Sequence, residues 1–121
     1  MFFGPFRFDE PNARVWRGAD AIMLTPKAFA VLRHLVLHPN RLVTKEELLE
    51  TVWPKTIVTD AVLKVCIGEI RKALADDAKA PQVIETVHRR GYRFIGKVVS
   101  SQHLVVSRET EERQKAKGNN Q

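Results

Sequence analysis

The residues able to do chemistry in this chain are few, and most of them are cations. Arg89, Arg90, Arg93 and Lys97 follow one another with no acid between them, and Lys64, Arg71 and Lys72 lie a short way upstream. Such groups bind polyanions: lysine pairs with phosphate as a point charge, while arginine offers a planar fork to phosphate or to a guanine edge. No catalytic set accompanies them. His34 and His38 stand at i and i+4, a spacing able to hold zinc, yet no catalytic glutamate lies between them and no third ligand follows. Cys66 is the sole cysteine, which excludes an intrachain disulfide, and its place among inward positions of a helical pattern predicts a buried apolar role. With no GxxxxGK[ST] run there is no phosphate-binding loop either. Neither an enzyme nor a cofactor or metal site is expected.

Composition sets the frame for those cations. The chain has 121 residues, with 20 Lys plus Arg against 14 Asp plus Glu for a net charge of +6, and a 44% hydrophobic share sufficient for one core. One domain over residues 1–98 and a polar tail over 99–121 are expected. The surplus alone permits nucleic acid or an anionic membrane surface. Residues 61–98 hold eight bases and four acids, a local +4 that concentrates the field. No run approaches the roughly 18 apolar residues of a membrane span, and no signal-peptide pattern opens the chain. A cytoplasmic protein without membrane contact by this segment is the expectation.

The charges need elements to present them. Phe2 to Phe8, Ala13 to Arg17 and Ala21 to Leu24, separated by turn signals, predict a small antiparallel meander. Thr25-Pro26 starts a helix, because the Thr side chain can accept from an orphan N–H and Pro at the first position loses no bond. That helix runs to about His38, with Phe29, Leu32, Leu35 and Val36 on its buried face. Leu42 and Val43 make a short strand, and Thr44 with Glu47 forms a capping box opening a helix over Lys45 to Trp53. Lys45, Glu46, Glu47 and Glu50 read as its solvated face, and Trp53 as a packed helix end. A third helix spans about Asp60 to Leu74. Leu63, Ile67, Ile70 and Leu74 recur at helical spacing, which turns Ala61, Lys64, Val65, Gly68, Glu69 and Lys72 outward. Gln82 to Val87 and Gly91 to Val98 then form a hairpin whose tip is His88-Arg89-Arg90, with Tyr92 and Phe94 in the core.

Two helices joined by a short loop and followed by a basic hairpin fit a helix-turn-helix with a wing. A helix enters a major groove about 12 Å wide, while arginines on the hairpin reach phosphates or the minor groove. The expected class is α+β: an N-terminal antiparallel sheet, three helices and a C-terminal β-hairpin. The residues also carry a resemblance. Val58 to Ile95, VTDAVLKVCIGEIRKALADDAKAPQVIETVHRRGYRFI, resembles the C-terminal half of the OmpR/PhoB-type winged helix-turn-helix DNA-binding domain. The specific marks are IRKAL at Ile70–Leu74, ETV at Glu85–Val87 and RGYRF at Arg90–Phe94. Upstream, LTPKAF at Leu24–Phe29, RLVTKEEL at Arg41–Leu48 and Val52-Trp53-Pro54 match as well. The likeness begins near Phe2, as in regulators that carry this domain at the N-terminus. His103–Glu112, HLVVSRETEE, is faintly similar to the start of the ATPase domain of some such regulators, without a phosphate-binding loop after it.

The resemblance implies a transcription-regulator module that binds double-stranded DNA as a dimer or tandem pair. Carried over by position, it implies DNA contacts from Lys64, Val65, Gly68, Glu69, Arg71 and Lys72 on the third helix. Thr86, His88, Arg89, Arg90 and Arg93 would contact DNA from the hairpin. Lys55, Thr56, Ile57 and Val58 would form a loop able to meet RNA polymerase. The chain departs from many relatives by placing Gly68 and Glu69 where arginines stand in the middle of the recognition helix. Glu69 would then either accept from a cytosine amino group or, without reading a base, repel phosphate or pair with Lys72 three residues on, and Gly68 would admit a close backbone approach. Two rivals remain open: a winged helix that binds only protein, and the DNA-binding head of a larger ATPase regulator.

Overall fold

The computed structural model describes residues 1–99. The predicted tail from residue 100 onward and the His103–Glu112 stretch lie outside the described residues. In chain order the elements are β1 (Phe2–Phe3), β2 (Phe6–Asp9), β3 (Arg14–Arg17), β4 (Asp20–Ile22), α1 (Pro26–Val36), β5 (Leu42–Thr44), α2 (Lys45–Val52), α3 (Asp60–Leu74), β6 (Ile84–Val87), β7 (Gly91–Phe94) and β8 (Val98–Val99). The strands form two antiparallel sheets, ordered β4-β3-β2-β1-β8 and β5-β7-β6. This is the expected α+β winged-helix architecture.

Local chemistry explains the helix boundaries. Thr25 caps α1 by accepting from the Ala28 N–H at 3.3 Å, with Pro26 at the first helical position. Thr44 does the same for α2 through the Glu47 N–H at 3.1 Å. Only this half of the predicted capping box forms. The Glu47 carboxylate instead takes His34 Nε2 at 2.6 Å and Arg41 Nη2 at 2.7 Å, tying α2 to the end of α1. Glu47 is therefore not part of a merely solvated face, and neither is Lys45, whose Nζ lies 3.0 Å from Asp60 Oδ2 at the start of α3.

Phe3, Phe6, Phe8 and Val15 of the first sheet share one buried core with Val31, Leu32 and Leu35 of α1 and Leu63, Ile67 and Ile70 of α3, Phe8 stacking on Phe29 of α1, and Val43, Ile84 and Phe94 bring the second sheet into the same core. Each such side chain contributes about 1.5–3 kcal/mol on burial. Phe3 meets Phe94 edge-on at 5.1 Å between centroids, so the two sheets share one interior. At Gly91 the β5 backbone lies directly against the place a side chain would occupy. A Cβ there would lie 2.1 Å from the Val43 carbonyl oxygen, which only glycine avoids.

Several boundaries differ from the sequence expectation. The Phe2–Phe8 stretch is two strands, broken at Gly4-Pro5, where Gly4 takes φ +56° and Pro5 has no N–H to donate. The hairpin strand from Gly91 stops at Phe94, and Val98–Val99 leaves it to pair with β1 as a fifth strand of the N-terminal sheet. Helices α1 and α2 end at Val36 and Val52, slightly before His38 and Trp53.

Candidate nucleic-acid interface

Helix α3 is held at both ends. Asp60 occupies its first turn, where a carboxylate complements the helix dipole, and Lys45 reaches Asp60 from α2, which holds the Lys45 ammonium above its ordinary pKa. Arg71 and Lys72 stand in the last turn, and Ala75 closes it in the left-handed conformation at φ +56°. Between these ends Leu63, Cys66, Ile67, Ile70 and Leu74 are buried, leaving a strip of Ala61, Lys64, Val65, Gly68 and Lys72 exposed. Val65 is 69% exposed, unusual for a large apolar side chain, and a Cβ added at Gly68 would meet nothing within 4 Å.

The remaining two charged residues of α3 turn back onto the protein. Glu69 is half-buried; its carboxylate accepts from the Thr25 N–H at 2.6 Å and the Thr25 hydroxyl at 3.0 Å, reinforcing the start of α1. Arg71 Nη2 donates to the Ile84 carbonyl at 2.9 Å and to Thr86 Oγ1 at 2.8 Å, bridging α3 to β6.

The wing tip is a three-residue turn. Arg89 adopts φ +63°, the Arg90 N–H donates to Val87 O at 2.9 Å, and the Arg90 carbonyl accepts from the Lys45 N–H at 3.0 Å, bracing the tip against α2. His88, Arg89 and Arg90 are exposed. Among the described residues none of Lys64, Lys72, Arg89 and Arg90 has an ion-pair partner. Arg93 differs: Nη1 donates to Glu85 Oε1 at 2.8 Å, its cross-strand neighbour, below the tip. In the loop before α3, Lys55, Thr56 and Ile57 are exposed, Ile57 fully, and Val58 is half-buried.

Other residues singled out by the sequence have structural partners. His34 Nε2 meets Glu47, and His38 Nδ1 lies 2.8 Å from the His34 carbonyl. Burial, with the Glu69 carboxylate nearby, pushes the Cys66 thiol above its ordinary pKa, so it is a poor nucleophile in the fold. The Lys27 ammonium lies 5.7 Å from the centroid of the Trp53 ring and donates to the Val52 carbonyl at 2.9 Å, closing the end of α2. Sequence reading missed Asp76, whose Oδ1 accepts from the Gln82 and Val83 N–H groups at 2.8 and 3.2 Å and whose Oδ2 accepts from Ile84 at 3.0 Å. No local pattern signals it; its partners lie in the next element.

A brace helix, an exposed second helix and a basic hairpin anchored to both define a winged helix-turn-helix domain of the DNA-binding kind. Residues 19–94 match the family described as transcriptional regulatory protein, C terminal, and the chain belongs to this OmpR/PhoB-type family, a family of DNA-binding regulator domains rather than enzymes. It is 32% identical over 87 residues to the transcriptional activator CadC of Escherichia coli, covering 71% of this chain and 17% of CadC. It is 33% identical to the phosphate regulon regulator PhoB of E. coli, covering 71% of this chain and 38% of PhoB. The chain thus spans well under half of these relatives. The DNA-binding domain of Klebsiella pneumoniae RstA, solved in complex with the RstA box, superposes with a TM-score of 0.70 at 30% identity, covering 78% of this chain and 95% of that one.

Proposed function

We propose that residues 1–98 act as the DNA-binding domain of a cytoplasmic transcription regulator that recognises a specific duplex sequence. One observation carries this reading: the exposed strip of α3, with Lys64 and Lys72 unpaired among the described residues, is joined through Arg71 and Thr86 to an exposed Arg89-Arg90 tip likewise unpaired among them. Lys64, Val65, Gly68 and Lys72 face base edges and flanking phosphates, and His88, Arg89 and Arg90 meet the backbone or the minor groove. Glu69, Arg71 and Thr86 serve the interface by holding its parts, and Arg93 supports the wing through Glu85. The fully exposed Ile57, flanked by Lys55, Thr56 and Val58, supports a protein-binding role for that loop, with RNA polymerase as the partner. Binding as a dimer or tandem pair belongs to the same reading.

Selection of bound sequences from a random duplex pool, followed by titration at several salt concentrations, tests it. Each phosphate contact adds about 0.9 to the slope of log K against log salt, so R89A/R90A lowers the slope by about 2 and weakens binding to all sequences alike. No enriched motif, with salt-resistant binding to a protein partner, would favour the interaction-only winged helix instead.

A further inference from the structure

We propose that Arg71 is a positioning residue that locks the wing to the recognition helix, and that its guanidinium does not engage a phosphate. The inference rests on the duplex-binding reading above. It starts from the edge of the second sheet. β6 is the outer strand, and its residues alternate between groups that pair with β7 and groups that face away. Ile95 N–H bonds Val83 O at 2.8 Å, so the backbone groups of Ile84 point to the open side, where unpaired donors and acceptors are costly to leave unsatisfied.

Side chains from the end of α3 and the residue pair after it take up both groups. Asp76 Oδ2 accepts from the Ile84 N–H, and Arg71 Nη2 donates to the Ile84 carbonyl. The second hydrogen of that nitrogen goes to Thr86 Oγ1, two residues nearer the tip. Nη2 is then saturated, and Nε is enclosed with no partner among the described residues. Only Nη1 remains, so Arg71 lacks the bidentate fork by which arginine recognises phosphate. What it provides is a two-point attachment. Helix α3 and the wing form one rigid reading unit, and the wing reaches its groove in a register fixed by the helix.

The test compares wild type with R71Q, R71K and T86V, each checked for folding by circular dichroism. In the free protein, amide hydrogen exchange at residues 86–90 is expected to be about tenfold faster in R71Q and in T86V, with α3 unchanged and R71K intermediate. Unchanged wing exchange overturns the proposal whether or not the protein binds DNA. On a selected duplex, R71Q is expected to weaken binding with the salt slope intact, and T86V is expected to add little in the R71Q background. The weakening is expected to be alike for all sequences, and base preference under α3 is expected to persist. A slope lower by about 0.9 with additive T86V and R71Q effects identifies a phosphate contact and also overturns the proposal. If wild type binds no duplex, the function fails while the exchange result still decides the attachment.

Discussion

Gly68→Ala separates stability from recognition at one methyl group. Gly68 sits inside α3, exposed, and an added Cβ meets nothing within 4 Å. Glycine in a helix interior is less favourable than alanine by about 0.5–1 kcal/mol, chiefly through the entropy lost on folding. With no clash to offset that gain, the substitution is expected to stabilise the domain by nearly this amount. For a domain of this size, that corresponds to a rise in Tm of about 2–8 °C. The methyl projects from the strip assigned to base edges, between Val65 and Lys72, where a close fit leaves no room. Overpacking of that kind costs on the order of 1–3 kcal/mol, about 5- to 150-fold in Kd. Thermal unfolding by circular dichroism and fluorescence anisotropy on a selected duplex give the two numbers. A more stable protein with unchanged affinity would refute the placement of Gly68 against DNA. A lower Tm would refute the reading of open space around it.

Further substitutions test the supporting contacts. E69A removes both bonds to Thr25; with the site partly exposed, the loss is about 1 kcal/mol, or a Tm lower by about 4–8 °C, and the selected consensus stays the same. A changed base preference with Tm intact would instead make Glu69 a base reader. G91A drives a Cβ into the Val43 carbonyl and is expected to cost more than about 2 kcal/mol in urea unfolding, since β5 must leave β7 to make room. The His34 hydrogen bond, helped by Arg41, holds the Glu47 carboxyl below its ordinary value of 4.5. Its stabilisation is thus complete above that value and is lost as pH falls through the lowered one, so E47Q flattens the acid limb of a stability-against-pH profile. Asp9, lowered by Asn12, leaves a residual limb in that variant. An acid limb unaltered in E47Q would contradict the assignment.

Much of this was legible because the signals are local. Thr25-Pro26 and Thr44 cap the helices they were expected to cap, and the four-three-four spacing from Leu63 to Leu74 sets which face of α3 is buried. The turn between Val87 and Gly91 falls where the basic tip was read. What escaped depends on distant parts of the chain. Glu69 lies on the edge of the outward stripe, and only the placement of α1, 44 residues earlier, turns it toward Thr25. Arg71 has equal access to DNA and to β6 until the wing is in place. Val98–Val99 is too short to carry a strand pattern of its own and is a strand only because Phe2 and Phe3 offer a free edge.

The most direct measurement of the central claim is an amide chemical-shift map of the labelled domain titrated with its selected duplex. The account predicts that the largest changes fall on residues 61–72 of α3 and 86–90 of the wing, while β2 and β3 stay unmoved. Changes centred on the N-terminal sheet, or none at saturating duplex, would contradict it.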